Sequence, residues 1–532
     1  MSSPAAFDAI VIGAGANGLV AAAALGKAGR RVLCIEGSDT VGGQSRLLDV
    51  APGFRAPLGT DADWLPPMVA TAIGMSPLDV VAPEIPLSVA VPDGGFLSLA
   101  GHATRAVESI RSRSRKDAER WGAFTGVLHG LAGFLESLYL LPPPDIDSTA
   151  LRDVPSLLSL GRKFRSLGKA NMSELLRVLP ISIQDLLDDW FEYGPLKAAI
   201  GAGAIRDIRQ GPRSGGTSLV LLHYLVGARL GSVRGRPWFQ AGPDAFVTAA
   251  EQIARTHGVA LRTGADVTEI MVRDDAVAGV RLRQNGEEIS AKAVVSTADP
   301  ARTFLRMVDP VWLDPEFLLA VRNIRFRGCT AVVHYALDRL PELQGLPDPT
   351  QALAGVVSLS GTLDSLEKAY DASKYGGVSE RPHIEITVPT LRWPQLAPPG
   401  KHVLVAKVQF APYALRDGAA WDAARANALG DVVTQAIARV CPSFPSAIVQ
   451  RSVLSPRDIE QRFGVTEGAL AQGEMALDQI LFMRPVAGWG QYAMPVGGLY
   501  LGGAGTHPGP GVLGVSGLLA ARRLLADLGK RK

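Results

Sequence analysis

The stretch Phe7-Asp8-Ala9-Ile10-Val11-Ile12-Gly13-Ala14-Gly15-Ala16-Asn17-Gly18 restricts this chain more than any other part of it. A short apolar run rich in β-branched residues that ends on a glycine turn predicts a strand buried on both faces. The alanine-rich stretch that follows, Leu19 to Leu25, predicts a helix from about Ala16 to Ala28, ended by Gly29. Arg31 to Glu36 then reads as a second strand, completing a βαβ unit. In such a unit Gly13 permits the tight exit from the strand, Gly15 lets backbone approach a pyrophosphate, and Gly18 lets the helix pack on the strand. The amides of Ala16 and Asn17 open the helix, where its dipole favours negative charge. Glu36 lies eighteen residues beyond Gly18, where a carboxylate accepts hydrogen bonds from a ribose diol. Glycines after a strand often make only a turn; strand, helix and acid together point to a dinucleotide.

That logic concerns an ADP half shared by several cofactors. The next segment, Glu36-Gly37-Ser38-Asp39-Thr40-Val41-Gly42-Gly43-Gln44-Ser45-Arg46, supplies a second glycine pair and an arginine able to pair with an anion. It resembles the acid, Gly-Gly and Arg signature of the amine-oxidase and carotenoid-desaturase flavoproteins, in which this segment wraps around FAD. Near the other end, Gly498-Leu499-Tyr500-Leu501-Gly502-Gly503-Ala504-Gly505-Thr506-His507-Pro508-Gly509-Pro510-Gly511 resembles the closing motif of bacterial phytoene desaturase-like proteins. Val294 to Pro300 and Phe482 to Pro485 resemble that family too. The resemblance implies noncovalent FAD, with Gly42, Gly43, Gln44 and Arg46 beside it and the Val267 backbone at its adenine side. It places Gly503, Ala504, Gly511, Val512 and Leu513 around the flavin. Ala504 stands where amine oxidases usually carry an acid, and no cysteine in the closing loop could form a thioether.

The pattern predicts an α/β fold: a Rossmann-type FAD-binding domain, with a parallel sheet and a β-meander, intertwined with a substrate domain of antiparallel sheet and helices. Its FAD-binding segments are expected at residues 1–76, 235–305 and 475–532, around a helical substrate region at 77–234 and a substrate domain at 306–474. Apolar residues recur at helical spacing in Trp121 to Leu141 and Met172 to Leu187. Strands alternate with turns from Val259 to Thr297, notably at Asp274-Asp275 and Asn285-Gly286, and further strands are expected between Cys329 and Phe410. A helix should close the chain from about Val512 to Leu528.

Charge and cysteine content exclude other classes. Lysine and arginine total 54 against 51 acidic residues, which is no footprint for nucleic acid. Cys34, Cys329 and Cys441 lie far apart, so neither a disulfide framework nor a metal centre is expected. The N-terminus carries no basic leader, no apolar run is long enough for a bilayer, and a cytoplasmic chain is expected. Carotenoid desaturases commonly work at membranes, so the resemblance also implies peripheral membrane contact.

The leading expectation is an FAD-dependent dehydrogenase or desaturase that takes hydride from a largely apolar small molecule onto flavin N5. A flavin amine oxidase or dehydrogenase, and a flavin-binding scaffold without catalysis, remain open beside it. Candidate acid–base groups are His507, in the closing loop, and Asp61 and Asp63, in Gly59-Thr60-Asp61-Ala62-Asp63-Trp64. Trp64, Trp489 and Tyr492 are candidate pocket walls, although aromatic side chains serve core packing more often. His223, on an apolar helix, reads as a core histidine.

Overall fold

The computed structural model describes residues 6–144, 154–346, 348–359 and 361–530. Its centre is β1 (Ala9–Ile12), every residue of which is buried, because the run carries apolar side chains toward both faces. α1 (Ala16–Lys27) and β2 (Val32–Ile35) follow as the sequence predicts. The resulting sheet is wholly parallel, in the order Leu499–Leu501, Val294–Ser296, β1, β2, Ala260–Arg262. Ile10 pairs with Val294 on one side and Leu33 on the other. Segments from the start, middle and end of the chain thus form one layer.

An antiparallel meander, Val267–Arg273, Ala276–Leu282 and Glu288–Ser290, leaves this sheet and returns to it at Val294–Ser296. Asp274 and Asp275 both take positive φ in its first turn, the backbone that a two-residue hairpin of this hand demands. A second sheet of seven strands runs Ile448–Leu454, Thr330–Leu337, His402–Gln409, His383–Thr387, Val356–Ser358, Leu87–Ala90, Phe96–Leu99. All of its pairings are antiparallel except that of Val356–Ser358 with Leu87–Ala90.

Three differences from the sequence reading have local causes. The expected helical region at 77–234 begins with strands, because Leu87 and Val89 alternate with shorter residues and Gly94 and Gly95 take positive φ in the turn before Phe96. Helical spacing from Met172 to Leu187 is divided into helices Gly168–Val178 and Ile183–Trp190, with Pro180 between them. The last helix spans Val515–Lys530 rather than starting near Val512, because Val512 forms a parallel bridge with Trp64 and the Leu513 amide donates to the Trp64 carbonyl at 2.8 Å. The long helix Arg115–Tyr139 agrees with its spacing. Among the described residues no helix is long and apolar enough to cross a membrane.

The closing helix lies on α1 through bare backbone. A Cβ at Gly517 would sit 1.9 Å from the Asn17 carbonyl oxygen, and one at Gly18 would sit 1.8 Å from that of Gly13. Both contacts exclude any side chain. Gly517→Ala should therefore lower stability by about 1–3 kcal/mol, the usual range for overpacking. Thermal unfolding followed by far-UV circular dichroism would register this as a lowered midpoint.

Candidate active site

Backbone geometry around the first glycine turn builds a cleft. Gly13 takes φ +91°, which favours glycine, and turns the chain out of β1. Gly15 bridges to Gly42, and the Gly42 amide donates to the Ala14 carbonyl at 2.8 Å. A Cβ at Gly43 would lie 3.1 Å from Gly15 Cα, so the two glycine loops stack backbone on backbone. No side chain caps α1 at Gly15, which leaves the first-turn amides facing the cleft. Glu36, at the end of β2, accepts from the Ala14 amide at 2.8 Å and from the Ser38 amide at 3.0 Å, so its carboxylate is fixed at the cleft wall.

These groups open on a cavity of about 420 Å³ that runs from Glu36, Val267 and Asp266 past Gly15 to Gly511, Val512 and Leu513. Its shape suits FAD: a carboxylate for the ribose at one end, bare amides and a helix N-terminus for the pyrophosphate in the middle, and a glycine-rich loop for the ring system at the other. Val267 lines the same end of the cavity as Glu36. Gly13, Ala16, Asn17, Gly42, Gly43, Gln44, Arg46 and Ala504 line it as well. Gly18 and Gly503 do not; Gly18 packs on Gly13, and a Cβ at Gly503 would sit 2.4 Å from the Thr297 carbonyl oxygen.

The closing loop is held by buried donors that sequence reasoning missed. Arg236 donates to the carbonyls of Gly511 and Val226 at 2.7 Å and to that of His223 at 3.0 Å. The His223 ring bridges the Pro510 carbonyl and the Tyr139 hydroxyl, each at 2.8 Å, which makes it a satisfied core histidine. Arg484 spends its guanidinium on the carbonyls of Ala471, Gly473, Gln479 and Ala504. From the opposite side the Trp64 amide donates to the Gly511 carbonyl at 3.0 Å.

A second cavity, of about 160 Å³, abuts the first across Asp63, Gly511 and Leu513. Its walls include Asp61, Asp63, Arg206, Asp207 and Lys407, together with Tyr224, Trp238, Phe239 and Phe246. Arg234 donates to Asp61 at 2.6 and 2.7 Å and to Glu385 through two bonds of 2.6 Å, a doubly bidentate clamp inside the protein. Arg206 reaches Asp61 at 3.3 Å, and Lys407 pairs with Asp207 at 2.8 Å. Burial by itself would raise the pKa values of Asp61 and Glu385, but the adjacent guanidinium groups hold both carboxylates well below their usual range. Asp63 differs: its side chain is exposed to the open cleft, and desolvation by the surrounding walls pushes its pKa up against the opposing pull of Arg236 and Arg206. Its carboxylate faces both cavities, near the bare backbone of Gly511.

Several expected site residues lie elsewhere. His507 is buried, its ring donates to the Leu138 carbonyl at 3.2 Å, and burial pushes its pKa down to about 4. It lines neither cavity, because the backbone between Thr506 and Pro508 directs its ring toward the end of the long helix. Tyr492 sends its hydroxyl to the His507 carbonyl at 3.0 Å, and Trp489 packs edge-on against Phe317. Trp64 contributes its backbone to the closing loop, while its ring packs beside Gly227. Tyr224, Trp238, Phe239 and Phe246 supply the aromatic wall instead. The missed charges did leave a signal: Glu385 and Lys407 each sit alone in an apolar strand, His-Ile-Glu-Ile-Thr and Val-Leu-Val-Ala-Lys-Val-Gln.

Comparison with known proteins agrees with this geometry. The sequence profile described as flavin containing amine oxidoreductase matches residues 17–525. Pyridine nucleotide-disulfide oxidoreductase domain-containing protein 2 of Rattus norvegicus is 32% identical over 98% of this chain and 94% of its own. A phytoene desaturase of Rhodobacter capsulatus is 25% identical over 96% and 92%. An oxidoreductase from Methanosarcina mazei shares the fold at a TM-score of 0.58, with 17% identity over 98% of this chain and 99% of that one.

Three outcomes are expected. Gly15→Val should leave the fold intact, since a Cβ there meets only Gly43 Cα at 3.8 Å, yet it should abolish stoichiometric FAD absorbance after reconstitution. Arg234→Met removes both bidentate bonds, from the buried Glu385 carboxylate and from Asp61, whose remaining ion pair is with Arg206, and should cost about 3–5 kcal/mol, read by chemical denaturation. Because an unfolded histidine protonates near pH 6.5 and folded His507 only near pH 4, the protein should lose stability as pH falls through that window. A His507→Gln variant should show a shallower decline in unfolding midpoint over the same range.

Proposed function

This chain belongs to the flavin-containing amine oxidoreductase family and is an FAD-dependent oxidoreductase; we propose that it acts as a dehydrogenase or desaturase on a small molecule held in the second cavity. The observation that carries this reading is the junction of the two cavities at Asp63 and Gly511, where a bound molecule would meet the ring end of the cofactor cleft. FAD, when bound, supplies the acceptor for a hydride at flavin N5.

The protein's own part is positioning and proton management. Tyr224, Trp238, Phe239 and Phe246 offer an apolar wall for the body of the substrate. In this reading Asp63 takes the second proton, because its carboxylate faces both cavities and is free of an arginine clamp. Asp61 is committed to Arg234 and Arg206 and serves to hold the cavity wall. His507 braces the closing loop against the long helix.

The closing-motif resemblance and the identity to a phytoene desaturase support desaturase-like chemistry at carbon. The second cavity matches the size of an engineered cavity of about 150 Å³ that holds benzene. A compact molecule therefore suits it better than a long chain.

Anaerobic mixing of the FAD-loaded protein with a panel of small alcohols, carboxylates, amines and cyclic ketones should bleach the flavin with at least one of them. No bleaching by any compound class would count against catalysis and for a scaffold. With a substrate that bleaches it, Asp63→Asn should slow flavin reduction by about 10²–10⁴-fold, the range for loss of an acid–base group. FAD content should stay unchanged.

A further inference from the structure

Charge bookkeeping around the second cavity does not close within the protein. Arg234 and Arg206 together face Asp61 and Glu385, and Lys407 faces Asp207. Arg236 spends its donors on neutral carbonyls and lies opposite Asp63. Arg392 remains. Its guanidinium lies 4.4 Å from the ring centre of Trp238, a cavity wall, and 4.9 Å from that of Trp393; its one side-chain bond is a long one, 3.4 Å, to the Thr387 hydroxyl. Among the described residues no carboxylate pairs with it. Its Nε and Nη1 are buried without an acceptor, and so is Nε of Arg206.

Arg206 is the cation that lines the cavity: its Nε is sealed inside the protein, while among the described residues its Nη atoms make no hydrogen bond beyond the ion pair with Asp61. Its guanidinium sits 4.0 Å over the Tyr224 ring, which fixes its plane. A charged donor group left short of acceptors in a partly desolvated site gains more from an arriving anion than a neutral one does. A cationic ligand would instead add to a positive excess in a medium of low dielectric. The surplus therefore discriminates between the substrate classes that an FAD-dependent oxidoreductase of this family could take.

We propose that the second cavity receives a small organic carboxylate, its anionic group held by Arg206 with Lys407 beside it, and its apolar body against the aromatic wall. Arg392, stacked behind Trp238, supplies positive potential to the same end without touching the ligand. This proposal rests on the functional reading above and sharpens its substrate class, from a compact molecule to a compact anion.

The test uses the full FAD-loaded chain and three probes of one size: benzoate, benzyl alcohol and benzylammonium. Binding is read by calorimetry and by perturbation of the flavin absorbance, neither of which requires turnover. Benzoate should bind at least about tenfold more tightly than either counterpart, the range of a charge-assisted hydrogen bond. Arg206→Met should erase that preference while FAD content stays native and the unfolding midpoint falls only by the loss of the Asp61 pair, and Arg206→Lys should restore part of the preference. Equal affinity for the three probes, preference for benzylammonium, no binding of benzoate, or an Arg206→Met variant that keeps full benzoate affinity would each overturn the proposal. Failure of the chain to hold FAD would instead strike the functional reading beneath it, so the two failures remain distinct.

Discussion

Bare backbone brought against bare backbone is the contact on which this structure turns. A pyrophosphate can be held by amides only where no side chain intervenes. Gly13, Gly15, Gly42 and Gly43 meet that requirement in one place, with a Cβ at Gly43 only 3.1 Å from Gly15 Cα. The same economy recurs where the closing helix crosses α1 at Gly517 and where α1 leaves β1 at Gly18. Each close approach lowers the distance between layers. The parallel sheet, its covering helices and the cleft between them follow from those spacings.

Beyond the cleft the controlling physics changes from shape to charge. Burying ions usually lowers stability, and this protein gathers nine ionisable side chains around one small cavity: Arg234, Arg236, Glu385 and Lys407 are buried, Asp61, Arg206, Asp207 and Arg392 are half-buried, and Asp63 is exposed to the open cleft. The clamp of Arg234 on Asp61 and Glu385 is the least expensive part, since every oxygen has a donor. The costly part is the set of donors left without acceptors. Replacing such ions by well-packed apolar residues is often neutral or stabilising, so stability alone does not account for the charge arrangement.

The cofactor half was legible in the sequence because its physics is local. Strand, glycine turn, helix and acid occupy one stretch from Phe7 to Glu36, and each element constrains the next. The substrate half was hard to read because its residues come from separate elements: Asp61 before the first helix beyond the cleft, Arg206 after a helix, Arg234 in a loop and Lys407 in a strand. Nothing in the spacing of such residues records that they converge. His507 misled for the opposite reason: neighbourhood in sequence to a loop that lines the cleft does not fix where a ring points, and one turn of backbone sent it to Leu138. The lone charges in apolar strands were the readable clue, since a lysine or glutamate there must find a buried partner.

The pairing of Trp64 with Val512 and the place of Leu499–Leu501 at the edge of the central sheet put two walls of one cleft at distant points of the sequence. The first glycine turn is a local structure, whereas the strand and loop that complete its cleft are joined to it only by long-range pairing. Such non-local contacts form late in folding, so the cleft takes its shape together with the fold rather than ahead of it.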